Sequence, residues 1–441
     1  MSEANSKLQK NLKYEFWRWR VFSITWLAYA GFYLTRKSFS VAKIGLAEDP
    51  DILMTKTTMG NIDFIYLIAY ALGQFVWGTF GDRFGTRKIV LAGMLCSVIV
   101  GFVMGVSSIV LLFGVLFCIQ GLCQSTGWAP LTKNIGYWFS HRERGVVMGW
   151  WCTNYAIGGG VALLFAGYAA DYFTNWRYAF FAPATALFVI WVLFFFLQKN
   201  RPEDVGLPPI EKYHGEKEAV LAAGEKPEEE PEGSWKTIFE VFKNPIVLIL
   251  GGVYFFLKPT RYAILFWAPL YVSEKLGTGM GESALISTCF EWGGFIGPIF
   301  GGYVSDKLFQ SRRMPISIIC LFALAVVLFL FNRLAVYESK LIIAALFFTV
   351  GFLLYVPDSL VSGTAAIDFG TKKGASTAAG LINGCGSIGA ILGGSLPGVI
   401  SERWGWGVLF MMLAISVSLA AVLLLPKWNA MPATVNDRET S

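Results

Sequence analysis

Two arginines stand inside otherwise apolar stretches of this 441-residue chain, and each belongs to a run of polar side chains on helical spacing. Tyr29, Tyr33 and Arg36 are separated by four and three residues, so they share one face of a helix. Tyr254, Lys258 and Arg261 repeat that spacing 225 residues later, position for position. An arginine at the centre of a membrane helix costs at least about 2.5–3.5 kcal/mol on insertion scales, so it is kept where it meets a cavity, a partner or a ligand. Two guanidinium forks converging on one point suit a tetrahedral dianion, because each makes paired, charge-assisted bonds to phosphoryl oxygens. This pattern predicts recognition of a phosphate group, with the three tyrosines lining its cavity. A second outcome stays open: each arginine neutralises a buried acid, for which Glu291, Asp358 and Asp63 are available. Counting Arg36, Lys37, Lys258 and Arg261 against those acids leaves one positive charge over, with Lys37 and Asp63 expected near the membrane interfaces.

The elements that must hold these residues are membrane helices. Apolar residues make up 55% of the chain and charged ones 15%, more apolar surface than a water-soluble fold of this length can hide. Crossing a hydrocarbon core of about 30 Å takes about 20 residues of helix. Twelve such segments are read at 20–44, 61–81, 88–107, 109–136, 146–170, 177–198, 246–272, 282–304, 314–332, 341–366, 374–400 and 404–425. An all-α membrane protein follows, since lipid tolerates no unpaired backbone and these runs are too long for barrel strands. The first run follows a short basic stretch and shows no small-residue cleavage site, so it is read as a retained helix. Lys and Arg recur in alternate loops (Arg83, Arg87 and Lys88; Arg142 and Arg144; Lys307, Arg312 and Arg313; Lys372 and Lys373), which predicts that both termini are cytoplasmic. That alternation accounts for the net charge of +6 and implies no nucleic-acid partner. The seven cysteines lack metal-type spacing, and His141 and His214 fall in loops, so neither a metal nor a cofactor is expected.

The longest polar break predicts the domain organisation: a cytoplasmic segment 1–19, a six-helix half 20–198, a partly disordered cytoplasmic linker 199–245, a second six-helix half 246–425 and a tail 426–441. Internal repetition supports pseudo-symmetric halves. The loop motif Gly78-x-x-x-Asp82-Arg83 returns as Gly302-x-x-x-Asp306-Lys307, and the run Gly158 to Gly160 is echoed near Gly384 and Gly386. Gly78 permits close helix approach, while an aspartate at Asp82 or Asp306 accepts from a neighbouring arginine or caps a helix, latching one conformation with Arg83 or Lys307 beside it.

The segment Gly78 to Lys88 resembles the loop signature of the major facilitator superfamily. Along essentially its whole length the chain resembles the organophosphate:phosphate antiporter family within it. The matching pieces are Tyr33 to Phe39; Gln120-Gly121, Gly127-Trp128 and Pro130; Gly206 to Glu211; Arg261-Tyr262 and Trp267; Glu291 with Gly293-Gly294; and Ser305-Asp306-Lys307. The resemblance implies a major facilitator fold with no enzymatic activity, in which Arg36 and Arg261 bind the substrate phosphate beside Tyr29 and Tyr33. It further implies exchange of a phosphorylated metabolite, such as a sugar phosphate or glycerol phosphate, for inorganic phosphate. Short termini and the lack of a retention or transit signal favour a bacterial inner membrane, and a monomer is the default expectation. Departures fall at Gln74, where bacterial members carry Lys, at Tyr155, where they carry His, and at Gly380 and Asn383, where hexose-phosphate carriers have Asp and Lys. Lys258-Pro259 and the run Gly384 to Gly389 look like the eukaryotic sugar-phosphate exchangers, so Lys258 is expected to replace the cation absent at Gln74. Trp128, Tyr155 and Glu291 complete the expected substrate site. Two other outcomes remain: a sensor of sugar phosphate built on the same site, or a proton-coupled organic-anion symporter using Asp358 or Glu291.

Overall fold

Because apolar side chains dominate and backbone groups must pair internally in lipid, the chain folds almost entirely into long helices. The computed structural model describes residues 2–213, 243–310, 312–364 and 375–430. In chain order the helices are α1 (Ser2–Glu48), α2 (Lys56–Phe84), α3 (Thr86–Val106), α4 (Val110–Gln124), α5 (Trp128–Trp138), α6 (His141–Trp151), α7 (Thr153–Tyr172) and α8 (Tyr178–Leu197). A one-turn helix α9 (Ile210–Tyr213) precedes α10 (Pro245–Leu276), α11 (Met280–Lys307), α12 (Arg313–Leu334), α13 (Lys340–Ser359), α14 (Ala375–Arg403) and α15 (Trp406–Leu424).

Twelve passages result, with α4–α5 and α6–α7 each forming one. Eight of them are long and apolar enough to cross a membrane by length and composition alone. The others, α1, α2, α6–α7 and α11, are diluted by the polar and small residues that make the interior site. Two passages expected as single helices are interrupted. The fourth breaks across Ser125 to Gly127, where a Cβ on Gly127 would lie 3.0 Å from the Phe32 ring and 3.1 Å from Tyr29. The fifth breaks at Cys152, between α6 and α7.

Glycines set the closest helix contacts. A Cβ on Gly158 of α7 would come within 2.8 Å of Ala30 Cα on α1, and one on Gly389 of α14 within 2.2 Å of the Phe255 carbonyl on α10. Phe255 stands 225 residues after Ala30, the offset that relates the two arginines, so the α1–α7 contact has its counterpart in α10–α14.

One end of the molecule is closed between its first and second parts. Lys56 pairs with Glu274 at 2.7 Å, Glu402 accepts from Thr57 N at 2.6 Å, and Asp171 accepts from the backbone amides of Met280 and Gly281. A Cβ on Gly398 would sit 2.3 Å from the Lys56 carbonyl. Toward the other end, no described residue lies within 4 Å of where a side chain would start at Gly149, Gly302, Gly380 or Gly384. At that end the linker's first residues are folded: Tyr14 donates to the Pro208 carbonyl and stacks on Tyr213 at 3.9 Å, with Arg18 paired to Glu143. Residues 214–242 of the linker, His214 among them, lie outside the described residues, as do the side chains of Asp82, Arg83 and His141.

Candidate functional site

The break after α4 aims Gln124 at α1. Its Oε1 accepts from Arg36 Nε at 3.0 Å and from the Tyr66 hydroxyl at 2.7 Å, while its Nε2 donates to Thr35 Oγ1 at 3.0 Å. The Arg36 guanidinium then lies over the rings of Tyr33 and Tyr70, 4.5 and 4.8 Å from their centroids. These are neutral partners. Among the described residues Arg36 forms no ion pair, and its Nη2 is buried with no hydrogen-bond partner.

Arg261 is held differently. Its Nη1 donates to Asp358 Oδ2 at 2.7 Å, and the guanidinium covers Tyr355 at 4.5 Å and Tyr155 at 5.6 Å. Lys258, one turn earlier on α10, approaches the other oxygen of the same carboxylate at 3.1 Å and lies 4.4 Å over the Tyr254 ring. Tyr355, under the Arg261 guanidinium, donates to Glu291, and Glu291 binds Lys37, the residue after Arg36, so one chain of side-chain contacts joins the two arginine positions. The acid-pairing alternative therefore describes Arg261 and not Arg36.

Two further ion pairs are fully enclosed. Lys37 Nζ binds Glu291 Oε1 at 2.8 Å and the Leu265 carbonyl at 3.2 Å, and Tyr355 donates to Glu291 Oε2 at 3.2 Å. Lys43 Nζ meets Asp63 Oδ2 at 2.5 Å, donates to the Phe266 carbonyl and sits 3.8 Å over the Trp267 ring. Lys37 and Asp63 are both 1% exposed. Their burial follows from mutual pairing with Glu291 and Lys43, since a desolvated charge persists only with a partner.

Of the other expected site residues, Tyr29 and Trp128 are brought together with Trp151 in an aromatic cluster, with centroids 5.4–5.7 Å apart, one residue layer behind Tyr33. Tyr155 and Glu291 reach the Arg261 neighbourhood. Gln74 is partly exposed on α2, one turn beyond Tyr70. Asp306 pairs with Arg313 at 2.5 Å, while Lys307 lies 5.0 Å over the Tyr303 ring. Sequence reasoning missed Tyr66, Tyr70, Gln124 and Tyr262. Asp63, Tyr66, Tyr70 and Gln74 fall on one helical face of α2, a periodicity that could have found Tyr66 and Tyr70.

A membrane-embedded pair of pseudo-equivalent arginines in a tyrosine-lined interior defines a polytopic transport protein, and comparison with known proteins gives the family. The family model described as Major Facilitator Superfamily matches residues 25–375. The chain is 31% identical to the probable hexose phosphate transport protein of Chlamydia trachomatis, covering 95% of this chain and 92% of that one. It is 32% identical to the glycerol-3-phosphate transporter of Bacillus subtilis (93% and 92%) and 31% identical to the membrane sensor protein UhpC of Salmonella typhimurium (96% and 94%). The chain belongs to the major facilitator superfamily and, within it, to the organophosphate:phosphate antiporter family. It is a multi-pass membrane protein of a transporter family and not an enzyme.

Proposed function

We propose that this chain exchanges a phosphorylated metabolite, a sugar phosphate or glycerol phosphate, for inorganic phosphate through one central site. The observation that carries this reading is the buried, unpartnered Nη2 of Arg36, whose neighbour Lys37 connects through Glu291 and Tyr355 to Arg261. A buried guanidinium nitrogen without an acceptor leaves a position that a phosphoryl oxygen can fill. Arg36 and Arg261 bind the phosphoryl group, Lys258 adds the cation that Gln74 does not supply, Tyr33, Tyr254 and Tyr155 wall the site, and Trp128 backs Tyr33 through Tyr29. Lys258→Ala then abolishes phosphate exchange nearly as fully as loss of Arg261.

Two pseudo-symmetric six-helix halves, 20–198 and 246–425, rock about this site. The closed end, with Lys37 and Lys43 bridging α1 to α10, and the open space beside Gly380 and Gly384 support access from one side at a time. An empty site gathers uncompensated positive charge when the halves close on it; a bound anion removes that cost, so reorientation is favoured when loaded and exchange follows. Asp306, paired with Arg313, and Lys307 hold the loop at the open end, and Asp82 and Arg83 are assigned the same part in the first half by the repeat. The loop charges favour cytoplasmic termini, and the bacterial transporters among the relatives favour an inner membrane.

A symporter would couple flux to protonation of Glu291 or Asp358, and both carboxylates are ion-paired here. A sensor role on the same site is favoured by one observation, the full-length similarity to a membrane sensor. Competition by a panel of phosphorylated metabolites against labelled phosphate uptake in proteoliposomes separates these readings. Exchange that ignores an imposed proton gradient supports the antiporter. Binding of a sugar phosphate without any flux supports the sensor, and gradient-driven uptake without internal phosphate supports the symporter.

A further inference from the structure

We infer that Asp358 is an internal counter-anion: it occupies Arg261 and Lys258 while the site is empty, yields them to an entering phosphoryl group, and thereby fixes the net charge the substrate must cancel. The inference rests on the phosphate reading of the site and adds a residue that neither the arginine repeat nor the family resemblance assigned to substrate recognition. Its basis is the asymmetry between the arginines. Each guanidinium keeps one buried nitrogen without an acceptor, Arg36 Nη2 and Arg261 Nε, but Arg36 has only neutral partners, whereas Arg261 and Lys258 share one carboxylate at 2.7 and 3.1 Å.

The charge balance gives this asymmetry a meaning. Lys37 is cancelled by Glu291 and Lys43 by Asp63, so the cavity keeps three cations (Arg36, Lys258, Arg261) against Asp358. Two positive charges remain, which a phosphoryl dianion neutralises. Without Asp358 the emptied site would hold three, and release of product would leave them all uncompensated in a water-poor interior. Asp358 takes the place of the leaving anion on Arg261 and Lys258, so an incoming phosphate docks on Arg36 first and then competes for the other two.

The backbone allows such movement. Asp358 follows Pro357 near the end of α13, and Leu360–Thr364 continues as a π-helical turn. Proline and a widened turn both interrupt the regular hydrogen-bond ladder, so this carboxylate sits on a stretch of helix that can shift without breaking a full ladder.

Charge rescue in the full-length protein tests this. Lys258→Ala leaves one net positive charge and is inert; adding Asp358→Asn restores two, and exchange of labelled phosphate rises at least about tenfold over Lys258→Ala alone. The double variant replaces a buried ion pair with neutral groups, a change folds commonly tolerate. Asp358→Asn alone binds phosphate at least about tenfold more tightly, read from phosphate-dependent melting curves, and exchanges it more slowly because release is unassisted. A folded double variant as inert as Lys258→Ala overturns the inference, as does Asp358→Asn with unchanged or weaker phosphate affinity. If neither asparagine variant folds, Asp358→Glu decides: it keeps the charge and retains phosphate binding, and a folded glutamate variant blind to phosphate overturns the idea. Absence of any phosphate-dependent stabilisation in the wild-type protein would instead remove the phosphate reading itself, so the two failures are distinguishable.

Discussion

Lys37, the residue after Arg36, reaches from α1 to α11 and binds Glu291 at 2.8 Å with both side chains 3% exposed or less. A buried pair of this kind contributes little net stability, but removing one partner strands the other. Glu291→Ala is expected to cost about 3–5 kcal/mol by leaving Lys37 uncompensated, and Lys37→Met with Glu291→Leu to recover most of it. Melting curves in detergent read both; an unchanged curve for Glu291→Ala would show the pair to be dispensable.

Lys43 holds the closed end by linking Asp63 on α2 to the Phe266 carbonyl and Trp267 ring on α10. Lys43→Met should loosen that end. A cysteine at Leu270, buried there at 2% exposure, is expected to react faster with a membrane-impermeant maleimide in the Lys43→Met background than in the wild type. Equal labelling rates would mean that other contacts keep the end shut.

The α10–α14 contact separates two glycines a few residues apart. Gly389→Ala places a methyl 2.2 Å from the Phe255 carbonyl, whereas Gly384→Ala meets nothing within 4 Å. Backbone cannot yield as a side-chain end can, so Gly389→Ala loses folded protein while Gly384→Ala accumulates at wild-type levels. Size-exclusion yield measures this, and parity between the two contradicts the packing.

Gln124 is predicted to act on phosphate recognition without touching phosphate, because it fixes Arg36 Nε and the Tyr66 hydroxyl together. Gln124→Leu leaves both unsatisfied, and the apparent KM for phosphate is expected to rise about tenfold, the equivalent of one lost charge-assisted hydrogen bond. An unaltered KM would place Arg36 under the control of its aromatic neighbours alone.

How much of this was legible in the sequence depended on whether the signal was local. Tyr33 and Arg36, like Lys258 and Arg261, were found because helical spacing within one segment placed them on a common face, and the twelve passages were found because apolar length is local too. The acid partners were not. Asp358 reaches Arg261 across 97 residues of chain and Glu291 reaches Lys37 across 254, so choosing among Asp63, Glu291 and Asp358 required the packing. Lys43 stayed out of the charge count because nothing near it in sequence shows that Asp63 would enclose it. The break that delivers Gln124 to Arg36 had a signal in Ser125-Thr126-Gly127 ahead of Pro130, but hydropathy runs straight through it.

The most direct test of the central claim is counterflow: uptake of labelled phosphate into liposomes holding the purified chain, with and without unlabelled phosphate inside, for the wild type, Arg36→Ala and Arg261→Ala. Uptake that requires internal phosphate and is lost in both variants is the predicted result. Uptake that proceeds into phosphate-free liposomes, or that survives removal of either arginine, would contradict an exchanger built on a shared Arg36 and Arg261 site.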